Sequence, residues 1–261
     1  MPIIVLQHSD LSHPGRLGLT LRDHGHRLDI RRLDKGERLP PDLDDVDGVI
    51  SLGGPQNLDE PRSKAPWLDD EIAFVKDAHD AQLPFVGICL GHQILATALG
   101  GEVAMMPKRE MGFHPVDLSP SCQTDIIYAG VAWRMPQFHA HGREVTKVPS
   151  GAVNLASSKQ CKVQSIRAGV RSYGFQFHFE CDRDDIAAHA RQDRDHFNEA
   201  GLTFDDLMKQ CDQHYPMFAR LSDRICVNIA TMLMPIIDRK GVSRRGRMSP
   251  TSHGRAPTTI V

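Results

Sequence analysis

The sequence predicts an α/β fold in which a mostly parallel central sheet is flanked by helices, with further helices at the C-terminal end. Two observations lead to this fold class. Short apolar runs alternate with amphipathic helical patterns up to Gly101, and helical patterns alone follow Cys181. Strands that alternate with helices form parallel sheets covered on both faces. The length of 261 residues, of which 40% are apolar and 25% charged, suffices for a sizeable core.

The elements of the first part follow from apolar periodicity. Strands are predicted at residues 3–7, 28–33, 48–52 and 83–88, and helices at residues 16–24, 66–81 and 90–99. Pro66 suits the first turn of a helix, where no backbone N–H is needed. Gly100 and Gly101 suit the end of the helix that precedes them.

The pattern changes to short strand-like segments after Val103, and we expect mixed or antiparallel additions to the sheet there. These segments lie near residues 116–118, 138, 153–156, 163–167 and 174–179. Helices are predicted beyond them at residues 184–200, 204–214 and 216–233. We therefore expect a main domain at residues 1–181, a helical extension packed on it at 182–238, and a tail at 239–261.

The tail carries six Lys or Arg and no acidic residue among Gly, Ser, Thr and Pro, a composition typical of flexible, solvated segments. A nucleic-acid-binding patch is the less favoured interpretation. The net charge of −2 argues against a general nucleic-acid or membrane surface, and no apolar stretch reaches bilayer length. Without a signal-peptide pattern, we expect a cytoplasmic protein whose six cysteines are reduced.

The strongest local signal is the segment 87–91, Gly-Ile-Cys-Leu-Gly, between an apolar strand and a helix. A residue on such a sharp turn is pushed out of the sheet edge, and small neighbours allow the crowded backbone. The thiol of Cys89 would also lie at a helix N-terminus, whose partial positive charge favours the thiolate. Cys89 is therefore the candidate nucleophile, and the other cysteines are expected to be small buried hydrophobes.

A second signal is the segment 173–180, in which His178 and Glu180 would point to the same face of an extended strand. The carboxylate could then hold the imidazole and stabilise its protonated form. The alternative is an ordinary half-buried strand, because Phe and polar residues simply alternate here.

A third signal is Gly53-Gly54-Pro55 at the end of a predicted strand. Two glycines after a strand can be only a turn. They can also leave the N–H of Gly54 facing an oxyanion, with the N–H of Leu90 as the second donor.

Together these three segments, in this order, resemble the class I glutamine amidotransferases, in particular the stand-alone members and the glutaminase domain of GMP synthase. The resemblance implies a flavodoxin-like sheet and a triad of Cys89, His178 and Glu180 that hydrolyses a γ-glutamyl amide through a thioester. It also implies that ammonia is supplied to a synthetase on a separate chain. By the same resemblance, Gln93 and the segment His141-Gly142-Arg143 would contact the substrate.

Two positions depart from the family pattern. Phe179 stands where the family has Pro, and we expect activity to survive because the residue points away from the catalytic face. Arg143 stands where the family has Asp near the substrate's α-amino group. Reversing the charge there would make free glutamine a poor substrate unless a partner is bound, or would suit a γ-glutamyl peptide carrying an added carboxylate. The alternative is that the Arg143 side chain simply points to water.

The alternatives are a γ-glutamyl peptide hydrolase with the same triad and, from another class, a catalytically silent protein with a regulatory or binding role. We expect no metal, because His139 and His141 alone are a weak ligand signal. We expect no cofactor, because the sequence has neither a P-loop nor a dinucleotide glycine fingerprint. The predicted substrate is a small molecule, glutamine or a γ-glutamyl compound.

Overall fold

The computed structural model describes residues 1–236 and contains a nine-stranded sheet in the order β2-β1-β3-β4-β9-β8-β7-β5-β6. The strands from β2 to β9 in that order are parallel, and those from β8 to β6 are antiparallel. The predicted fold class is therefore confirmed, including the flavodoxin-like parallel order. The basic tail at 239–261 and the end of the predicted helical extension lie outside the described residues.

The strands are β1 (Pro2–Gln7), β2 (Arg27–Arg32), β3 (Gly48–Ser51), β4 (Phe85–Ile88), β5 (Glu102–Leu118), β6 (Arg134–Lys147), β7 (Ala152–Ser157), β8 (Ser165–Ala168) and β9 (Ser172–Phe175). The α-helices are α1 (Gly15–Asp23), α2 (Leu68–Asp80), α3 (Leu90–Ala98), α4 (Arg183–Gln192), α5 (Arg194–Glu199) and α6 (Phe204–Asn228). None of the helices in the described part of the chain combines the length and apolarity that a bilayer crossing requires.

The parallel half of the sheet is covered on both faces. Ile3 and Val5 of β1 share one core cluster with apolar residues of α1 and α6. Ile4 and Leu6 of the same strand share the opposite cluster with residues of α2 and α3. Burying each such side chain contributes about 1.5–3 kcal/mol. Continuous apolar strands such as β1 are therefore stable only inside this two-faced arrangement.

The antiparallel half differs from the sequence prediction in extent. β5 has 17 residues and β6 has 14, and they pair along most of their length as one hairpin. The sequence predicted only short segments near residues 116–118 and 138. Charged and polar residues interrupt the apolar pattern at many of the missed positions, and several of them, including Glu110, Gln137 and His141, are nevertheless buried.

The predicted strand at residues 174–179 is wrong beyond Phe175, where β9 ends. The next five residues form bends and turns. Phe175, Phe177 and Phe179 are all fully buried in one cluster, and the polar residues between them are buried too. The alternation that suggested a strand therefore comes from a turn buried on all sides.

Two helix boundaries also need correction. The helix predicted at 184–200 is two helices, α4 and α5, which meet at Asp193. The two helices predicted on either side of Pro216 are the single helix α6, which continues through this proline. Buried residues on both sides of it, including Cys211 and Phe218, hold the helix together. The last turn, Ile229–Leu233, is a π-helix.

Replacing Pro216 tests whether packing overrides the local cost of proline. Pro216 is exposed and lies inside α6, where it removes a backbone hydrogen bond. We expect Pro216→Ala to raise the free energy of unfolding by about 1–3 kcal/mol. Urea unfolding followed by circular dichroism measures this. An unchanged or lower stability would mean that α6 has adapted its packing to the proline.

Candidate active site

The candidate catalytic residues follow neighbouring parallel strands at their carboxyl ends. Gly53 and Gly54 come after β3, Cys89 comes directly after β4, and His178 lies three residues after β9. These strands are adjacent in the sheet in the order β3-β4-β9. Ligand sites of open α/β sheets lie at this edge of the sheet.

Cys89 occupies a strained backbone conformation, with φ of 51° and ψ of −100°. Its N–H donates to the Phe175 carbonyl at 2.7 Å, and α3 begins at the next residue. A Cβ atom at Gly87 would overlap the backbone of Gly91, and one at Gly91 would overlap the Ser51 carbonyl. Both glycines of the segment are therefore required by close backbone contacts rather than by chain flexibility.

His178 and Glu180 form a buried pair, with 2.7 Å between Nδ1 and a carboxylate oxygen. Backbone hydrogen bonds fix both residues, since the His178 N–H donates to Phe138 and the Glu180 carbonyl accepts from Arg16. Burial lowers the pKa of His178, but the charge of Glu180 and the nearby thiols outweigh it, so the pKa is raised well above its ordinary value. The predicted pairing therefore exists in a turn rather than along a strand.

The imidazole and the candidate nucleophile lie on either side of Gly53. A Cβ atom on this glycine would lie 3.0 Å from Cε1 of His178 and 3.6 Å from Cβ of Cys89. With Nδ1 bound to Glu180, the other ring nitrogen of His178 is left for proton transfer. Gly53 therefore keeps open the space in which thiol, imidazole and substrate would meet.

The other cysteines differ from Cys89 in their surroundings. Burial is the largest cause of a raised pKa at all five. At Cys181, next to the His178–Glu180 pair, burial and the charge of Glu180 raise the pKa to about 12. That thiol stays protonated at neutral pH and is a poor nucleophile.

The two residues that carry the candidate oxyanion donors lie close together. A Cβ atom on Gly54 would be 3.0 Å from the Leu90 side chain. Leu90 is the first residue of α3, where backbone N–H groups have no acceptor within the helix. The next N–H, that of Gly91, donates instead to the Leu52 carbonyl at 3.2 Å.

A cavity of about 380 Å³ opens in front of Cys89. All four predicted substrate-binding residues line it, as do Arg109 and His196 on its far side. Gln93 is nevertheless engaged within the protein, because its amide nitrogen donates to the Gln176 side chain at 3.1 Å and to the Arg143 carbonyl at 3.4 Å.

Arg143 is not a free charge. Its guanidinium makes two hydrogen bonds to the carboxylate of Asp59, at 2.8 and 3.0 Å. The hydrogen bonds from Arg143 are also the main reason why the pKa of Asp59 is lowered. The neighbouring Gly142 allows the Arg109 side chain to pack directly against the strand. At the edge of the cavity there is therefore an ion pair of Arg143 and Asp59, whereas the sequence suggested an uncompensated cation.

His141 belongs to a buried network around Glu110. Its Nδ1 lies 2.9 Å from the Arg143 carbonyl and its Nε2 lies 3.1 Å from the Glu110 carboxylate, which also accepts from Ser158 and Gln164 at 2.6 Å each. Glu110, His139 and His141 lie close enough to hold a metal ion. The sequence did not show this carboxylate, because it comes from the neighbouring strand β5. Its oxygens are already hydrogen-bonded, and we keep the prediction that no metal is needed.

Three functional candidates escaped the sequence reasoning. His8 follows β1 and pairs with Glu71 of α2 beneath Gly53, and Asp59 pairs with Arg143. His8 lies at the carboxyl end of a predicted strand, a position that could have drawn attention to it. Glu71 and Asp59 carry no such local signal.

Comparison with known proteins places this geometry in a family. Residues 17–189 match the family model described as Glutamine amidotransferase class-I. The glutamine amidotransferase-like protein YfeJ of Salmonella typhimurium is 30% identical over 182 residues, covering 69% of this chain and 76% of the relative. The glutamine-hydrolyzing subunit of GMP synthase from Sulfolobus acidocaldarius is 36% identical over 140 residues, covering 53% and 70%.

Solved structures of other proteins share the fold of this chain. The protein SMU.1228c superposes with a TM-score of 0.78 at 26% identity, covering 86% of this chain and 97% of the other. A glutamine amido transferase from Methylobacillus flagellatus shares the fold, with a TM-score of 0.75 at 24% identity over 87% and 93% of the two chains.

Gly91→Ala tests the backbone contact under the nucleophile. The added methyl group would push the start of α3 away from Ser51 and displace the candidate oxyanion donor of Leu90 relative to that of Gly54. Since each donor is typically worth about 10²–10³ in rate, we expect kcat to fall by at least about 100-fold. Gly100→Ala, at the other end of α3, is the control for strain alone, because its φ of +82° also disfavours an added side chain although a Cβ atom there meets nothing within 4 Å. Equal effects of the two substitutions on kcat would contradict the assignment.

Proposed function

The chain belongs to the class I glutamine amidotransferase family, and from that premise we propose that it hydrolyses a γ-glutamyl amide through a thioester on Cys89. One observation supports this most strongly. The strained Cys89, His178 with its partner Glu180 behind it, and the two residues that carry candidate N–H donors meet at one cavity, which Cys89, His178, Gly54 and Leu90 line. This is the constellation that acyl transfer by a cysteine nucleophile needs.

In the proposed reaction, His178 takes the proton of the Cys89 thiol, Sγ attacks the side-chain carbonyl carbon, and the π electrons move to the carbonyl oxygen. The N–H groups of Gly54 and Leu90 stabilise this oxyanion. The C–N bond then breaks as His178 gives its proton to the leaving amine, so ammonia departs and a thioester remains. Water, deprotonated by His178, attacks the thioester and releases glutamate and the thiol.

We further propose that the ammonia passes to a synthetase on a separate chain. Support comes from relatives named as glutamine-hydrolyzing subunits of GMP synthase, a name that describes one part of an assembly.

A γ-glutamyl peptide hydrolase is the second candidate. The cavity that holds Cys89 is also lined by Arg109, whose guanidinium would suit a carboxylate on the leaving amine. A catalytically silent regulatory protein is disfavoured, because it would not need to keep the strain at Cys89 or the buried His178–Glu180 pair.

The deciding experiment is a turnover assay with glutamine and several γ-glutamyl amides, in which ammonia and glutamate are both measured. Cys89→Ser should lower kcat by several orders of magnitude, as loss of a nucleophile does elsewhere. A diazo ketone that mimics glutamine should label Cys89 alone. If the variant remains active, or the label is found on Cys122 or Cys181, the proposed function is wrong.

His178 and Glu180 should contribute unequally. His178→Ala should cost at least about 10²–10⁴ in kcat, because it removes the group that transfers the proton. Glu180→Gln should retain measurable activity. Because the charge of Glu180 raises the pKa of His178, the alkaline limb of the kcat profile should move to lower pH in this variant. Small and equal losses in both variants would make the pair structural.

Asp59 should determine how well free glutamine is accepted. Asp59→Asn removes the partner of Arg143 and leaves a cation near the expected position of the substrate α-ammonium. We expect kcat/KM for glutamine to fall about 5- to 150-fold, which corresponds to roughly 1–3 kcal/mol after screening. The double variant Asp59→Asn/Arg143→Ala should recover most of the loss. If kcat/KM for glutamine does not change in Asp59→Asn, the ion pair has no role in substrate choice.

A further inference from the structure

A second buried charged pair lies directly beneath the oxyanion strand. His8, the first residue after β1, and Glu71 of α2 are both fully buried. Nε2 of His8 lies 2.9 and 3.1 Å from the two carboxylate oxygens of Glu71, and the Ser51 hydroxyl donates to the same carboxylate at 2.8 Å. The carboxylate is therefore fully hydrogen-bonded, and it holds one side of the imidazole.

The other side of the imidazole contacts the peptide group between Gly53 and Gly54. Nδ1 of His8 lies 3.0 Å from the Gly53 carbonyl oxygen, so this nitrogen is the donor. Burial lowers the pKa of His8, but the charge and hydrogen bond of Glu71 and the nearby carbonyls outweigh it and raise the pKa. The ring of Trp67 stacks on the imidazole at 6.2 Å with 7° between the planes. The imidazole therefore has one orientation and a proton on each nitrogen.

We propose that His8, held by Glu71, is a positioning residue that aims the N–H of Gly54 at the oxyanion. This inference deepens the proposed function and rests on it. The Gly53 carbonyl and the Gly54 N–H belong to one planar trans peptide, in which the two groups point in opposite directions. Fixing the carbonyl towards His8 therefore fixes the N–H towards the opposite side, and Gly53 itself borders both His178 and Cys89.

Stability alone does not account for the pair. Buried ion pairs carry a large desolvation cost, and well-packed apolar residues often replace them without loss. Here the pair contacts the peptide that supplies one of the two candidate oxyanion donors, and Gly54 packs so closely on His8 that a Cβ atom would lie 2.8 Å from the His8 side chain. A hydrogen bond to the carbonyl also polarises the peptide and strengthens its N–H as a donor.

Two substitutions of His8 distinguish the contributions of its two ring nitrogens. In His8→Asn the new amide nitrogen can replace Nδ1, which keeps the donor to Gly53 and loses the contact with Glu71. In His8→Gln the longer side chain can replace Nε2, which keeps the contact with Glu71 and loses the donor to Gly53. A positioning role predicts that Cys89 is acylated slowly in His8→Gln and at a rate near that of the wild type in His8→Asn. A general packing role predicts no such order.

The readout compares two reactions of Cys89. Acylation by p-nitrophenyl acetate forms an Sγ–C bond and passes through an oxyanion before p-nitrophenolate leaves. Alkylation by iodoacetamide displaces iodide and forms no oxyanion. Cys89→Ser supplies the background for both. We expect His8→Gln to lower the ratio of acylation to alkylation rate by at least about 10-fold, since a lost donor is worth about 10²–10³, and His8→Asn to lower it by less than about 3-fold.

An unchanged ratio in His8→Gln, or equal ratios in the two variants, would overturn the inference. If His8→Gln does not fold, His8→Leu/Glu71→Met removes the donor without leaving a buried unpaired charge, and the same low ratio is expected. The outcome does not depend on the natural substrate. Absence of γ-glutamyl hydrolysis by the wild type would refute the proposed function, whereas the ratio measures the oxyanion donors alone.

Discussion

The contact between the end of β3 and the first turn of α3 is the constraint on which the rest of the site depends. The two segments meet backbone to backbone, because any side chain at Gly91 would overlap the Ser51 carbonyl. Gly54 lies next to Leu90 at this contact, and we propose that N–H groups from the two elements converge there on one atom. It also places Cys89 at the N-terminal end of α3, where the helix dipole favours an anion. The nucleophile and the oxyanion donors thus share a single packing requirement.

Buried charges around this contact occur in pairs. His178–Glu180 and His8–Glu71 each consist of an imidazole held by a carboxylate, and burial at each is outweighed by the partner's charge. In a region of low dielectric such pairs hold their orientation and need little rearrangement when charge develops on a substrate. The two pairs lie near the same glycine, Gly53, from different sides. The two buried pairs therefore fix the orientation of polar groups more than they add to the free energy of unfolding.

The features that the sequence predicted correctly involve residues close together in the chain. The elbow at 87–91 needs only consecutive residues, and alternating strands and helices are enough for the fold class. The strand through His178 was wrong, yet two residues separated by one position can pair in a turn as well as in a strand. His8 with Gly53, Glu71 with His8, and Asp59 with Arg143 are separated by 45, 63 and 84 residues. Such pairings have no local pattern, because the sheet order that brings them together is set by the whole core.

The site is divided between the two halves of the sheet. Cys89 and the oxyanion glycines follow strands of the parallel half, whose cores are closed on both faces. His141, Gly142 and Arg143 belong to β6, in the long hairpin at the antiparallel edge, where pairing with β5 is irregular between Met105 and Glu110. Arg109, within that irregular stretch, also lines the cavity. Because the hairpin can change its side chains without disturbing the elbow, we propose that substrate choice can vary while the acyl-transfer machinery stays fixed, and a charge change at Arg143 is compatible with the proposed catalytic geometry.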